Sequence, residues 1–159
     1  MLHLTNWASS DLQKLVYIHP AALELVLRYA QVGESDPESG GILLGNVRGP
    51  HLEILEATTP TRKDRRFRYL FERTPYLHQV IASLRWKRSG GEVRYLGEWH
   101  THPEDYPRPS GTDIHEWRKL AKSRVDQRPL LAVIVGRKGL HVEYMFKDGR
   151  RVVLRSFPD

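Results

Sequence analysis

Apolar and polar positions along this chain follow two periods, and each change of period marks a new element. Residues 15–18, Leu-Val-Tyr-Ile, read as a short buried strand stopped by Pro20. From Pro20 the spacing changes: Leu23, Val26, Leu27 and Ala30 fall at i, i+3, i+4 and i+7. That pattern predicts an amphipathic helix with proline in its first turn. Residues 33–39 carry turn chemistry and deliver Glu38 to a strand over 41–45, with a further strand over 52–57. A basic loop and a short strand at 67–71 come next. Thr74-Pro75 then offers an N-cap and an N1 proline for a second helix, with Leu77, Val80, Ile81 and Leu84 as its apolar face. Ser89-Gly90-Gly91 ends that helix.

The second half continues the alternation. Residues 93–102 are extended, and the prolines at 103, 107 and 109 break the following loop. A third helix runs from Ser110 to about Lys122, with Ile114, Trp117 and Ala121 facing inward. The unbroken apolar run at 130–135 predicts a strand covered on both faces. Residues 140–146 and 151–157 flank Asp148-Gly149, the signal of a hairpin with a type I′ turn. The expected fold is α/β (α+β), a mixed sheet flanked by about three helices.

Length and composition narrow the chemistry. At 159 residues the chain fits one domain over 1–159 with a real core. It has no cysteine, which excludes disulfides, a thiol nucleophile and thiolate-rich zinc sites. Any metal must therefore be held by histidine and carboxylate. No run approaches the roughly 20 apolar residues of a membrane span, and residues 1–11 lack an apolar signal core, so a soluble cytoplasmic protein is expected. The net charge of +6 suits an acidic partner or nucleic acid, but no helix-turn-helix, zinc-finger or RNP pattern supports a basic nucleic-acid-binding module. The densest basic stretch, Arg62-Lys63-Asp64-Arg65-Arg66-Phe67-Arg68, reads first as a solvated loop and second as a docking patch.

Candidate chemistry concentrates between Gly97 and Asp113. Alternate residues of a strand share a face, so His100 and His102 point the same way with Cα atoms roughly 6.5–7 Å apart. Two imidazoles so spaced can converge on one ion at about 2.0–2.1 Å. Pro103 turns the chain, and Asp113, in the first turn of the third helix, can return over the same face. Two histidines and a carboxylate leave a fourth tetrahedral position, the mark of a catalytic zinc site. Each part has a plainer reading. His-x-His alone is a weak signal, and Ser110 to Asp113 also reads as a helix capping box. Glu98 shares the histidine face and rivals Asp113 as a ligand. Spacing leaves the general base open among Glu104, Asp105 and a distant residue.

The run His100-Thr101-His102, a seven-residue spacer from Pro103 to Pro109, Ser110, two residues and Asp113 resembles the full JAMM motif of the JAB/MPN metalloproteases. Upstream, Glu38-Ser39-Gly40-Gly41-Ile42-Leu43-Leu44-Gly45 resembles the family's second signature, a glutamate just ahead of a glycine-bearing strand. The resemblance implies a JAB/MPN, cytidine-deaminase-like fold with a curved sheet. It implies one Zn2+ per chain held by His100, His102 and Asp113, with Glu38 as general acid/base and Ser110 stabilising the oxyanion. Glu98 and Glu104 match no functional position. The implied activity is a zinc-dependent isopeptidase that frees a protein joined through its extended C-terminal tail to lysine. The compact chain is similar to stand-alone deconjugases of CBASS antiphage operons, where the conjugated protein is a cyclic nucleotide synthase. Trimming of a ubiquitin-like or sulfur-carrier precursor is the enzymatic alternative, and a non-catalytic MPN scaffold is the alternative of another class.

Overall fold

The structure is a computed structural model that describes residues 3–158. Among these residues the order is β1 (Asn6–Ala8), β2 (Leu15–Ile18), α1 (Pro20–Leu27), β3 (Gly40–Arg48), β4 (His51–Ala57), β5 (Arg65–Phe67), β6 (Leu70–Glu72), α2 (Pro75–Arg88), β7 (Arg94–Thr101), α3 (Gly111–Ser123), β8 (Leu130–Val135), β9 (Leu140–Met145), β10 (Arg151–Val153) and β11 (Arg155–Ser156). Nine strands form one sheet in the order β10-β9-β8-β7-β3-β4-β2-β1-β11, while β5 and β6 make a separate hairpin. β7–β8 and β2–β4 are parallel pairs and the remaining pairs of the sheet are antiparallel, so the mixed α/β expectation holds. No described helix is long and apolar enough to cross a membrane.

β8 is buried at all six positions because the two faces of its pleat serve two clusters. Leu131, Val133 and Val135 join the main core with Trp7, Leu96, Trp99 and Tyr144. Leu130, Ala132 and Ile134 face the other way, against Trp117 and Ala121 of α3. The predicted inward face of α3 is thus confirmed at its two buried positions. At the far ends of the sheet, β10 and β11 are separated by Leu154 alone. The Leu154 N–H donates to Val142 O, while Phe157 N–H donates to Asn6 O. Two residues span at most about 7 Å, so the sheet curls until its opposite edges adjoin.

Several expectations require correction. β1 lies ahead of the first element expected from the sequence; its partners β2 and β11 come from elsewhere in the chain. α1 stops at Leu27, short of Ala30. The strand expected at 67–71 is instead the turn of the β5–β6 hairpin with its flanks. On α2, Val80 and Leu84 are exposed, and the buried residue is His78. Polar contacts decide that orientation. His78 Nδ1 meets Thr58 Oγ1 at 2.6 Å and its Nε2 meets Asp64 Oδ2 at 2.8 Å. Thr74 holds the N-cap position without a side-chain cap, its hydroxyl donating to Lys63 O. The Asp148-Gly149 turn is not type I′, which needs two positive φ values, because only Gly149 (89°) has one. Gly149 N–H donates to Phe146 O and Phe146 N–H to Arg150 O, the pattern of a turn closed by a glycine bulge.

Candidate metal centre and its groove

β7 presents His100, and its continuation presents His102, on one face, as the strand period requires. After the 103–109 loop the chain returns to regular structure at Ser110, the N-cap of α3. There the Asp113 N–H donates to Ser110 Oγ at 3.1 Å, and the Ser110 N–H donates to Asp113 Oδ2 at 2.8 Å. This capping box does more than start a helix: it fixes the Asp113 carboxylate over the histidines. The capping and ligand readings of Ser110 to Asp113 are therefore compatible. His100 Nε2 lies 3.2 Å from Asp113 Oδ1, His102 Nε2 lies 3.1 Å from Asp113 Oδ2, and the two Nε2 atoms are 3.0 Å apart.

That triangle is the test of metal fit. Donors bound at about 2.0–2.1 Å in tetrahedral directions lie about 3.3 Å from one another, close to the spacing found. His100, His102 and Asp113 are the cluster of potential metal-holding side chains among the described residues. All three are mostly buried, with side-chain exposures of 12%, 10% and 16%. Burial would raise the Asp113 carboxyl, but hydrogen bonds with His100, His102 and the Ser110 N–H outweigh it and hold the group far below the usual carboxylate range. Burial would likewise lower the His102 imidazole, yet Asp113, Glu38 and Glu104 together raise it. A site that draws a proton onto a buried imidazole is one that favours a cation.

Glu38 reaches the same groove from a distant part of the chain. β3 pairs with β7 so that Gly40 lies opposite His100, which brings residue 38 beside the histidine strand. A Cβ at Gly40 would lie 2.6 Å from both Phe71 Cδ1 and Trp99 O, so glycine is what lets the strands and the hairpin close up here. The Glu38 N–H donates to Phe67 O, and Arg66 donates from Nε to Glu38 O and from Nη2 to Ser39 Oγ. Burial pushes the Glu38 carboxyl up to about 7; His102 pulls against this, while Asp113 and Glu104 add to it. Such a value suits a group that exchanges protons near neutrality.

A cavity of about 860 Å³ holds these groups and is lined by Tyr69, Leu70, Phe71, Glu38, Ser110 and Asp113 among others. Trp117 backs His100, with ring centroids 6.2 Å apart. Glu98 also faces the cavity, but its oxygens are engaged by Arg73 at 2.7 and 3.0 Å and by the Tyr95 hydroxyl at 2.7 Å. It lies outside the His100–His102–Asp113 cluster. Glu104 stands 3.4 Å from His102 Nδ1 and also accepts from the Arg108 N–H, so it is placed to orient the His102 ring. Asp105 is tied to Arg137 and Lys138 away from the cluster.

Sequence reasoning missed Arg66. The basic stretch was read as solvated or as a docking patch, but Arg66 braces Glu38 and Arg68 Nη1 donates to Gly33 O. No local signal marks either arginine, because their partners, the Glu38 and Gly33 carbonyls and the Ser39 hydroxyl, lie about 30 residues earlier in the chain.

The model for prokaryotic homologs of the JAB domain matches residues 20–150. A Pseudomonas aeruginosa protein named CD-NTase/cGAS isopeptidase is 49% identical over 150 residues, covering 94% of this chain and 95% of that one. A Vibrio cholerae protein of the same name is 42% identical over 124 residues, 78% of each chain. In fold alone, the chain is similar to the solution structure of a Desulfitobacterium hafniense protein, with TM-score 0.62 and 19% identity over 89% of each chain. The matched span contains both the glutamate-glycine strand and the histidine-serine-aspartate segment, and the chain belongs to the prokaryotic JAB family.

Proposed function

We propose that this chain is a zinc-dependent isopeptidase that frees a CD-NTase from the lysine to which its C-terminal tail is joined, in the cytoplasm of a bacterium using CBASS defence. The observation that carries the reading is the convergence, in one groove, of three side chains that could hold a metal ion and a buried carboxylate with raised pKa. The relatives named CD-NTase/cGAS isopeptidase support the substrate class.

His100, His102 and Asp113 would hold the ion, which when bound supplies Lewis acidity at the scissile carbonyl. Glu38 takes a proton from the attacking water as its oxygen bonds to the carbonyl carbon. The C–N bond to the lysine then breaks, and Glu38 returns the proton to the departing amine. The Ser110 hydroxyl accepts from Asp113 N–H, which leaves its own proton for the carbonyl oxygen. The β5–β6 hairpin offers backbone beside the groove against which an extended tail can lie as a strand. A 2-His-1-carboxylate set also suits iron(II), so the metal is to be read directly. The test combines elemental analysis with cleavage of a purified CD-NTase–lysine conjugate. About one zinc per chain and chelator-sensitive release of intact CD-NTase are expected; no metal, or cleavage indifferent to a chelator, refutes the proposal.

A further inference from the structure

We propose that Gln31 and Thr101 are positioning residues that set Glu38 against the histidine strand; the inference rests on the isopeptidase reading for the role of Glu38. Thr101 sits between His100 and His102, and strand alternation sends its side chain to the face opposite theirs. There its Oγ1 accepts from the Ser39 N–H at 2.9 Å and donates to Gln31 Oε1 at 2.9 Å. Gln31 Nε2 donates in turn to Asp36 O and to Arg68 O, both at 2.9 Å. The Thr101 N–H closes the loop by donating to Ser39 O. Gln31, Ser39 and Thr101 are all fully buried.

The chemistry of these groups gives the chain of bonds one direction. Gln31 faces two carbonyl oxygens with its NH2, so its amide has one tolerable orientation and its oxygen must face Thr101. Thr101 has one hydroxyl proton, which goes to that oxygen, leaving a lone pair for Ser39 N–H. Three segments are thereby joined at one point: residues 36–39 carrying Glu38, β7 and its continuation carrying the two histidines, and the β5–β6 hairpin that contributes Arg66 and lines the groove. The β3–β7 ladder ends at Gly40, and beyond it the Thr101 hydroxyl and N–H together hold Ser39. Glu38, one residue further on, is placed by this hold on Ser39 together with its own bond to Phe67 O and the Arg66 brace. Glu38 carries the proton but Thr101 and Gln31 touch no reacting atom, so their effect must pass through Glu38.

The experiment measures Thr101→Val, Thr101→Ser and Gln31→Met, each alone and with Glu38→Gln. Readouts are kcat and KM on the conjugate, zinc content, and hydrogen exchange of the Ser39 amide. Thr101→Val and Gln31→Met are expected to lower kcat about 10–100-fold, the scale of an ångström-level misplacement, with KM and zinc unchanged. Thr101→Ser, which keeps the hydroxyl, restores kcat, and neither loss recurs in the Glu38→Gln background. Ser39 exchange accelerates in Thr101→Val and Gln31→Met but not in Thr101→Ser. If Thr101→Val does not fold, Gln31→Met carries the same comparison. Unchanged kcat, an equal further loss without Glu38, or wild-type Ser39 protection in both apolar variants overturns the assignment. If the wild type cleaves no conjugate, the functional reading fails, while the Ser39 exchange result still upholds or refutes the hydrogen-bond relay.

Discussion

Arg73→Met isolates what holds the buried Glu98 carboxylate beside the candidate metal centre. The Glu98 side chain is 10% exposed and that of Arg73 17%, and two charge-assisted bonds join them. Removing one partner of a buried pair costs about 3–5 kcal/mol. With the Tyr95 hydroxyl still bonded to Glu98, the lower end, about 3 kcal/mol, is expected. For a chain of this length that lowers Tm by roughly 6–12 °C. Burial already raises the Glu98 carboxyl above its ordinary 4.5, against the opposing pull of Arg73 and Tyr95. The native environment therefore favours the neutral acid. Its contribution is fully present below the unfolded value and is lost as pH rises through the folded one. Loss of Arg73 raises that folded value further, so urea titrations should show a larger deficit at pH 8 than at pH 5. Adding Glu98→Gln removes the buried charge, keeps an acceptor for Tyr95, and should recover most of the loss. Arg73→Met within about 1 kcal/mol of wild type at pH 8, or a Glu98→Gln protein stripped of metal, would refute this account.

Glu38→Gln should keep fold and metal while cleavage falls about 10²–10⁴-fold, whereas His102→Ala should lose the metal as well; elemental analysis beside a conjugate-cleavage assay separates them. Gly40→Ala forces a Cβ to 2.6 Å from Phe71 and Trp99 O and should cost about 1–3 kcal/mol in urea melts. Gly111→Ala, which meets nothing within 4 Å, should melt at or above wild type. Burial would raise Glu143, but bonds of 2.6 and 2.8 Å to Arg151 and one to His141 hold its carboxyl below 4.5. It therefore stabilises the fold above that value, and the contribution is lost as pH falls through the lowered one. Arg151→Ala should cost about 2 kcal/mol near neutrality, since Arg151 is one-third exposed, and shift acid unfolding to higher pH.

What the sequence revealed depended on how local each feature is. The shared face of His100 and His102 follows from strand period, and the capping box places Asp113 in the first turn of α3, but spacing left Glu98 as a rival and only the family pattern chose Asp113. Glu38 was likewise legible only through the family pattern, because β3–β7 pairing, not spacing, brings it there. The bonds of Arg66 and Gln31 to remote carbonyls left no periodic trace. α2 misled for the opposite reason. Its apolar stripe is real, but the buried Thr58–His78–Asp64 chain outweighs it, since an unsatisfied buried imidazole costs more than an exposed valine.

The adjoining edges at Leu154 divide the labour of the sheet. Glu38 and the histidines hang from β3 and β7, the middle of the nine-strand order, while the seam between β10 and β11 lies at its two ends. These end strands are three and two residues long, so the seam opens at less cost than the centre. Opening bares the edges of β1 and β9, ready templates for another copy, and leaves the groove intact. Heating or ageing should therefore remove this protein by self-association, with each molecule still in solution retaining its full turnover.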